Sequence, residues 1–462
     1  MTTRLTPLMS LALAIIVAAS ILLAPSAEGQ RRRPDGPPGG PPTPPPTAPP
    51  PAEVKPAPIP EKEEYLAIRA GRVHTVSGPV LHDVTILCKN GKIIEIGPRV
   101  VVPEKAEVID ASTMEVYPGL VAVSTSNVLG GGSPEDSTDV FALNLATALA
   151  AGITTGVTGN TAAKLTFGTV DDMIVTRQVF ESFNYSTRNP SGRKQVRDGL
   201  NRVRAYLRDL AAYEEARRTN PSAVAPDNRW IQGNFATYLR LLKGEATAVV
   251  DANTTHELIQ ICELAETYGI RFVIRGAVEG WTVPDRLGRA KISAIIIPRT
   301  RSDPNEDSMR PNGSSIENAA IMARHGVAMA FLPTGSLFGP GTGISFGGLG
   351  GRDLLHLNME AAFAVRGGLS NQDAIRAITL DAARILGIDR RVGSIEVGKD
   401  ADFAIADGDL LHYMTHIRWT VVNGRVAYDK MKDTLLDHIR PGGDLNAPAP
   451  YDYWPRRLGA DF

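Results

Sequence analysis

Two serines follow a short apolar run, at the point where a buried strand would stop. The run covers Leu120 to Val123, and Ser124 and Ser126 come within the next three residues. Side chains two positions apart on a strand point to the same face, so we expect the two hydroxyls to share a face. In an α/β barrel, the C-terminal end of a strand is the end that carries chemistry. The pair therefore marks a candidate site.

Asp251 and Glu279 are carboxylates near the ends of two further predicted strands. Two carboxylates that are held close together in an apolar pocket can act as general acid and general base. Arg275 or backbone donors could instead neutralise them, which would make them structural. His256 lies in the first turn of the helix predicted after Asp251, and it is a third weak catalytic candidate.

A regular strand–helix pattern would position these side chains. One strand ends near Asp251, Thr254 and Glu257 have the spacing of a capping box, and Gly269 is a natural helix stop. The stretches "RFVIRG", "ISAIIIP" and "VAMAFLPT" read as further strands, and "SIENAAIMARHG" reads as a helix. Repeated units with buried strands predict a parallel sheet. Eight such units would close into a (β/α)8 TIM-type barrel, which makes the fold class α/β.

Two β-hairpins lie on either side of this region. Asn90-Gly91 and Asn423-Gly424 stand between apolar runs, and each pair suits a type I′ turn. We therefore predict a small β-sandwich domain whose strands come from both chain ends. The predicted boundaries are 65–115 and 393–430 for the β-sandwich domain and 116–392 for the barrel, with a helical insertion around 190–245.

The first residues predict export. Arg4, an apolar run that ends near Leu23, and small residues before Gln30 are typical of a signal peptide over residues 1–29. A retained membrane anchor is the alternative, but the run is shorter than the ~20 apolar residues that a spanning helix needs. We therefore expect a periplasmic or secreted protein with no stable membrane insertion after cleavage.

Residues 30–64 have the composition of a disordered linker, because 14 of the 34 prolines fall between residues 31 and 60. Residues 431–462 are assigned to a C-terminal tail. The formal net charge of −1 gives no field that favours nucleic acid. Cys88 and Cys262 are predicted to be two buried free thiols.

Three stretches resemble the amidohydrolase superfamily, in its imidazolonepropionase-like branch. They are "EVYPGLVAVSTS", "ELAETYGIRFVIRGAVEGW" and the long, gapless "AIRAITLDAARILGIDRRVGSIEVGKDADFAIADGD". The resemblance covers roughly residues 65 to 430. It implies a hydrolase of carbon–nitrogen bonds other than peptide bonds, with a metal ion, usually zinc, that activates water.

The positions that hold the metal in that family carry other residues here. By the resemblance, the ligand positions fall on Ser124, Ser126, Asp251 (with Asn253 on the same face), Gly276 and Thr334. A neutral hydroxyl is a poor zinc ligand compared with imidazole, thiolate or carboxylate. We therefore expect these residues to line a pocket, with no metal and no other cofactor.

Two functions are consistent with the absence of the family's metal-ligand residues. The first is an exported, non-catalytic homologue, that is, a binding, scaffold or partner protein. It would bind an unknown small molecule or accompany an active amidohydrolase relative. The alternative is a divergent hydrolase of a small cyclic amide or related substrate, which would need zinc or another divalent metal. The Gly-rich segment 333–353 is either a mobile cover over the barrel mouth or a plain loop.

Overall fold

The computed structural model describes residues 63–186, 189–306, 308–333 and 356–432. The predicted signal peptide, nearly all of the predicted linker, and most of the Gly-rich segment and the C-terminal tail lie outside these residues.

One mixed sheet combines strands from both chain ends, as the sequence predicted. In order across the sheet, the strands are β16 (Arg425–Asp429), β15 (Ile417–Val422), β14 (Phe403–Ala406), β4 (Glu107–Pro118), β1 (Tyr65–His74), β2 (Val80–Lys89) and β3 (Lys92–Gly97). Strands β1 and β4 are parallel, and the other neighbours are antiparallel. The sequence predicted a sandwich, whereas hydrogen bonds join all seven strands into one continuous sheet.

Both predicted hairpin turns are confirmed. Asn90 and Gly91 have φ angles of +47° and +75°, and Asn423 and Gly424 have φ angles of +49° and +71°. Left-handed φ at both central residues is the mark of a type I′ turn. Antiparallel pairing of β2 with β3, and of β15 with β16, follows directly from these turns.

A parallel five-stranded sheet carries the candidate carboxylates. Its order is β13 (Met329–Phe331), β12 (Ser293–Ile296), β11 (Phe272–Gly276), β10 (Ala248–Ala252) and β9 (Glu181–Ser182). A four-stranded sheet contains β5 (Leu120–Ala122), β6 (Ile153–Thr158), β7 (Thr161–Lys164) and β8 (Ile174–Thr176). Strands β5 and β6 are parallel, but β6, β7 and β8 are antiparallel, which the sequence reading did not predict. Hydrogen bonds among the described residues form these two sheets without closing a barrel.

Ten helices are present in the described residues. They are α1 (Pro134–Ser137), α2 (Leu143–Ala150), α3 (Pro190–Thr219), α4 (Asn234–Leu242), α5 (Thr255–Tyr268), α6 (Pro284–Arg289), α7 (Asn318–Arg324), α8 (Leu357–Arg366), α9 (Asn371–Ala377) and α10 (Leu380–Ile385). Short 3-10 turns occupy Gly280–Thr282 and Lys430–Lys432. Within the described ranges, none of these helices has the length and apolar character needed to cross a membrane.

Helix α5 forms for the local reasons that its sequence indicated. The side chain of Thr254 accepts a bond from the N–H of Glu257, and the Glu257 carboxylate accepts from the N–H of Thr254, which completes the capping box. Gly269 ends the helix in the left-handed conformation, with φ of +69°. Leu258 and Ile261 are among the residues that anchor the helix in the core of the two α/β sheets. The predicted insertion is also helical, since it contains α3 and α4.

Candidate functional site

The two serines lie just beyond a strand that is shorter than the sequence predicted. Strand β5 ends at Ala122, so Ser124 and Ser126 belong to the loop that follows. Ser124 is half-buried and Ser126 is exposed, whereas Thr125 between them is buried. The N–H and the hydroxyl of Thr125 both donate to the carbonyl of Val157, at 2.6 and 2.8 Å. Burial therefore alternates along the loop, and both serines are on its more open side.

Asp251 is held by a side chain of the neighbouring strand. The register of β10 and β11 pairs Asp251 with Arg275. Arg275 Nε donates to Oδ1 of Asp251, and Nη2 donates to Oδ2, both at 2.8 Å. Such a bidentate fork fixes orientation as well as charge. Neutralisation by Arg275, one of the two roles considered for Asp251, is present in the structure, although the Asp251 side chain remains 61% exposed.

Asn253 covers the backbone at Gly276. Gly276 has a φ of +103°, which L side chains rarely adopt, and a Cβ built there would overlap the side-chain oxygen of Asn253. A histidine at position 276 would therefore need a different backbone conformation and a displaced Asn253. The register pairs Gly276 with Ala252, so the β11 residue beside Asp251 is Arg275.

Glu279 connects the start of helix α5 to a distant loop. Its Oε2 accepts hydrogen bonds from the N–H and the hydroxyl of Thr255, at 2.6 and 2.9 Å. Its Oε1 accepts from the N–H of Gly313 at 3.0 Å, and the Gly313 carbonyl accepts from the indole of Trp281 at 3.0 Å. A carboxylate is also favoured at a helix N-terminus by the helix dipole. Asp251 and Glu279 thus have separate partners in the described part of the chain.

The remaining predicted site residues lie apart from these contacts or outside the described residues. His256 is exposed, and its Nε2 accepts a bond of 2.7 Å from the Gln260 amide, one turn along α5. Thr334 falls outside the described residues. Neither His256 nor Thr334 is placed against Asp251 or Glu279 by a contact in the described ranges.

The zinc ion that the resemblance implies does not fit the residues at these positions. Ser124 and Ser126 offer neutral hydroxyls, Asp251 binds a guanidinium with both oxygens, and Gly276 has no side chain. Across the ranges that the structure describes, no group of three or more His, Cys, Asp or Glu side chains is arranged to hold a metal. Zinc binding requires several such ligands in one geometry, and these positions do not supply them.

A small cleft opens at the ends of β11 and β12. It has about 310 Å³ of empty space, which includes open solvent, and its wall includes Gly276, Val278, Ile296, Thr300, Ser314 and Ser315. Thr300, Ser314 and Ser315 give it hydroxyl groups beside apolar Ile296 and Val278. Because no lining residue is charged, the cleft suits water or a small neutral group.

Lys164 is a buried charge that the sequence reading missed. It lies at the end of β7, has no solvent exposure, and its Nζ contacts the carboxylates of Asp402 and Asp400, the latter at 3.0 Å. Burial raises the pKa of Asp402. Burial also opposes the ionisation of Asp400, yet the charge of Lys164 and the contacts of Lys92 and Arg391 hold its pKa below the usual value. No sequence pattern connects Lys164 with carboxylates more than 200 residues later, so only the fold reveals the cluster.

The prediction of two buried free thiols is confirmed. Cys88 and Cys262 are both buried and unpaired with one another. Burial raises the pKa of Cys88 to about 12 and that of Cys262 to about 11. Since the thiolate is the reactive form, neither residue is a nucleophile at neutral pH.

Known proteins resemble this chain in sequence and in fold. The amidohydrolase family model matches residues 313–434. The imidazolonepropionase of Sphingopyxis alaskensis is 23% identical to this chain, across 77% of this chain and 95% of that protein. The imidazolonepropionase of Pseudomonas aeruginosa is 34% identical over 121 residues, 26% of this chain and 26% of that protein.

Among solved structures, an amidohydrolase from Thermotoga maritima has a TM-score of 0.59 and 18% identity, and the match covers 79% of this chain and 100% of that chain. This likeness supports the fold, a TIM-type barrel with a β-rich domain, at a coarse level. The sequence matches and the fold agree with the motifs quoted above. Together these matches support the amidohydrolase superfamily, in its imidazolonepropionase-like branch, as the family that this chain resembles.

Proposed function

We propose that this protein is an exported member of the superfamily that binds a small molecule at the strand ends and does not hydrolyse it through a bound zinc ion. The observation that carries the proposal is the fork between Arg275 and Asp251, because it occupies both oxygens of the carboxylate at a former ligand position. The same proposal includes a closed barrel, to which the two α/β sheets would both contribute, as in the solved relatives.

The second candidate is a divergent hydrolase of carbon–nitrogen bonds in a small cyclic amide. Membership of a superfamily whose matched relatives are named imidazolonepropionases favours it. This candidate requires a metal ligand set that differs from Ser124, Ser126, Asp251 and Gly276. The two candidates therefore differ in metal content and in chelator-sensitive turnover.

Metal content of the untagged protein decides between the two candidates. The proposal expects far less than one equivalent of zinc, manganese or iron by elemental analysis, and no hydrolysis of lactams or hydantoins that zinc stimulates. Near-stoichiometric metal, together with turnover that a chelator abolishes, would overturn it.

A positive control uses the serine positions themselves. The S124H/S126H double variant places two imidazoles where relatives have them, and it should bind zinc measurably more tightly than the wild type in calorimetry. Unchanged zinc binding would show that the two positions do not face one site.

Export is part of the proposal and has its own measurement. The apolar run and the small residues before Gln30 support signal-peptide cleavage. The N-terminal sequence of the protein purified from its native host should begin near Gln30. An intact Met1 on the mature protein would contradict export by this route.

A further inference from the structure

The Asp251–Arg275 pair lies at the C-terminal edge of the parallel five-stranded sheet. Both residues are the last but one of their strands, and they are direct neighbours in register. One layer below, Val249 and Val273 are also register partners, and they are buried. Side chains two positions apart share a face, so the ion pair tops an apolar layer at the C-terminal edge. That edge is where α/β barrels bind their ligands.

The fork leaves part of the guanidinium unused. A guanidinium has five N–H groups, and Arg275 gives one from Nε and one from Nη2 to Asp251. The other three are two on Nη1 and one on Nη2. One N–H from each of these nitrogens points in parallel away from Asp251, which makes a second fork. The side chain is 42% exposed, and none of the described residues accepts from this second fork.

The helix N-terminus next to the pair does not compete for an anion. Helix α5 starts directly after β10, and its first free N–H groups would normally attract negative charge. Here the carboxylate of Glu257 accepts from the N–H groups of Asn253 and Thr254, and Glu279 accepts from the N–H of Thr255. The protein's own carboxylates therefore occupy the helix start. Arg275 remains as the cationic donor at this edge.

We propose that Arg275 takes over the role of the family's metal as the cation of the site and binds the carboxylate group of a small organic acid through its second fork. A carboxylate matches the two parallel N–H groups of such a fork. A phosphate dianion fits less well, since Asp251 cancels the charge of Arg275. Asp251 acts as a positioning residue, because its two hydrogen bonds fix the guanidinium plane. Asn253 is exposed beside the pair and adds amide donors for the rest of the ligand. The inference rests on the proposed function and names its ligand class.

The test compares acids with their uncharged amides. Binding of 3-phenylpropionate and of N-acetylglycine is followed by NMR of the arginine Nε–H groups, with the corresponding amides in parallel. We expect the acids to shift the Arg275 signal at millimolar concentration and the amides to leave it unchanged. The Arg275→Lys variant keeps the charge but lacks the fork, so affinity for the acids should fall about tenfold or more.

Arg271→Lys is the matched control. Arg271 lies just before the same strand, at its opposite end, where it donates to the carbonyl of Gly244 at 2.6 Å. Its replacement should leave acid binding unchanged. Asp251→Asn should broaden the Arg275 Nε–H signal, because the guanidinium loses its bidentate carboxylate partner, whereas a merely structural role would leave that signal sharp.

Each outcome has a distinct meaning. Equal binding of acids and amides, or acid binding that survives Arg275→Lys, would overturn the carboxylate assignment. Lack of any Arg275 shift with all acids would overturn it as well. If the protein also lacks metal and metal-dependent turnover, the proposed function stands while this assignment fails. Stoichiometric zinc with chelator-sensitive turnover would instead remove the proposed function itself.

Discussion

At the scale of single residues, the carboxylates of Asp251 and Glu279 differ in role because their neighbours differ. Asp251 faces an arginine on the adjacent strand and stays largely accessible. Glu279 is half-buried and accepts three hydrogen bonds from Thr255 and Gly313. The chemistry of the side chains is the same, so the difference comes from their surroundings. Glu279 is therefore best understood as a structural link, whereas Asp251 remains at a surface that a ligand can reach.

Glu279→Ala should lower the free energy of unfolding by about 2 kcal/mol, because hydrogen bonds to a charged acceptor are lost and donors of Thr255 and Gly313 are left without it. Chemical denaturation measures the loss. Glu266→Ala is the control, since Glu266 is an exposed carboxylate on helix α5, whose first turn Glu279 contacts, and its removal should change stability by less than about 0.5 kcal/mol. Equal effects of the two substitutions would show that the Glu279 contacts contribute nothing specific.

At the scale of elements, the sequence predicted those features that depend on neighbouring residues. The capping box of Thr254 and Glu257 and the turn at Asn90-Gly91 are local patterns, and both are present. The antiparallel return of β7 along β6 was not predicted, although Gly159-Asn160 between the two strands is a two-residue hairpin signal, because the strand–helix alternation elsewhere favoured a parallel sheet.

The candidate site was predictable to a similar degree. The strand ends near Ser124 and Asp251 follow from apolar runs that stop. The pairing of Asp251 with Arg275 depends on the register of two parallel strands, and a shift of one residue would have put Gly276 there instead. The hydrogen bond from Gly313 to Glu279 joins residues 34 positions apart, with α6 and β12 between them, so no local sequence pattern indicates it.

The two hairpin turns from opposite chain ends meet in the folded sheet. The N–H of Ala401 donates to the carbonyl of Gly91, and the N–H of Gly424 donates to the carbonyl of Ala401, both at 2.8 Å. A Cβ on Gly91 would lie 3.1 Å from the carbonyl oxygen of Asn423. The two turns are therefore in such close contact that a side-chain carbon on Gly91 would crowd Asn423.

Gly91→Ala should destabilise the protein by about 2 kcal/mol, since it combines a left-handed alanine with crowding against Asn423. Gly269→Ala is the matched control: Gly269 has a similar φ of +69°, but no atom lies within 4 Å of its added Cβ. It should lose only about 1 kcal/mol. Thermal and urea unfolding measure both variants, and identical losses would contradict the close approach of the two turns.

At the scale of the whole molecule, the sequence predicts that the proline-rich N-terminal segment contributes nothing to the folded core. Removal of residues 1–60 should leave the melting temperature within about 2 °C of the full-length value, because so proline-dense a segment buries little apolar surface. Differential scanning calorimetry of the two proteins tests this. A drop of many degrees in the shorter chain would show that the segment packs on the body.

The folded body is tied together by the buried charge of Lys164. This residue belongs to the four-stranded sheet, while Asp400 and Asp402 precede strand β14 of the seven-stranded sheet. Asp402 also accepts from the N–H of Asn423 at 2.9 Å, in the turn between β15 and β16. One ammonium group thus joins three segments that are far apart in the sequence.

Lys164→Met should lower the free energy of unfolding by about 3–5 kcal/mol at neutral pH, because it leaves the buried carboxylate of Asp402 without its cation. The loss should shrink toward acid pH. Burial already raises the folded-state pKa of Asp402 above its unfolded value, and removal of Lys164 raises it further. In the variant, the folded state then holds the extra proton at low pH, so the stability of the variant falls as pH rises past the unfolded pKa.

Lys92→Met is the control, since Lys92 contacts Asp400 from a side chain that is 47% exposed, and it should lose no more than about 1 kcal/mol. Urea unfolding of both variants between mildly acid and mildly alkaline pH gives the comparison. Equal losses for Lys164 and Lys92, or a Lys164 loss that grows toward acid, would show that the buried ammonium does not hold the two sheets together.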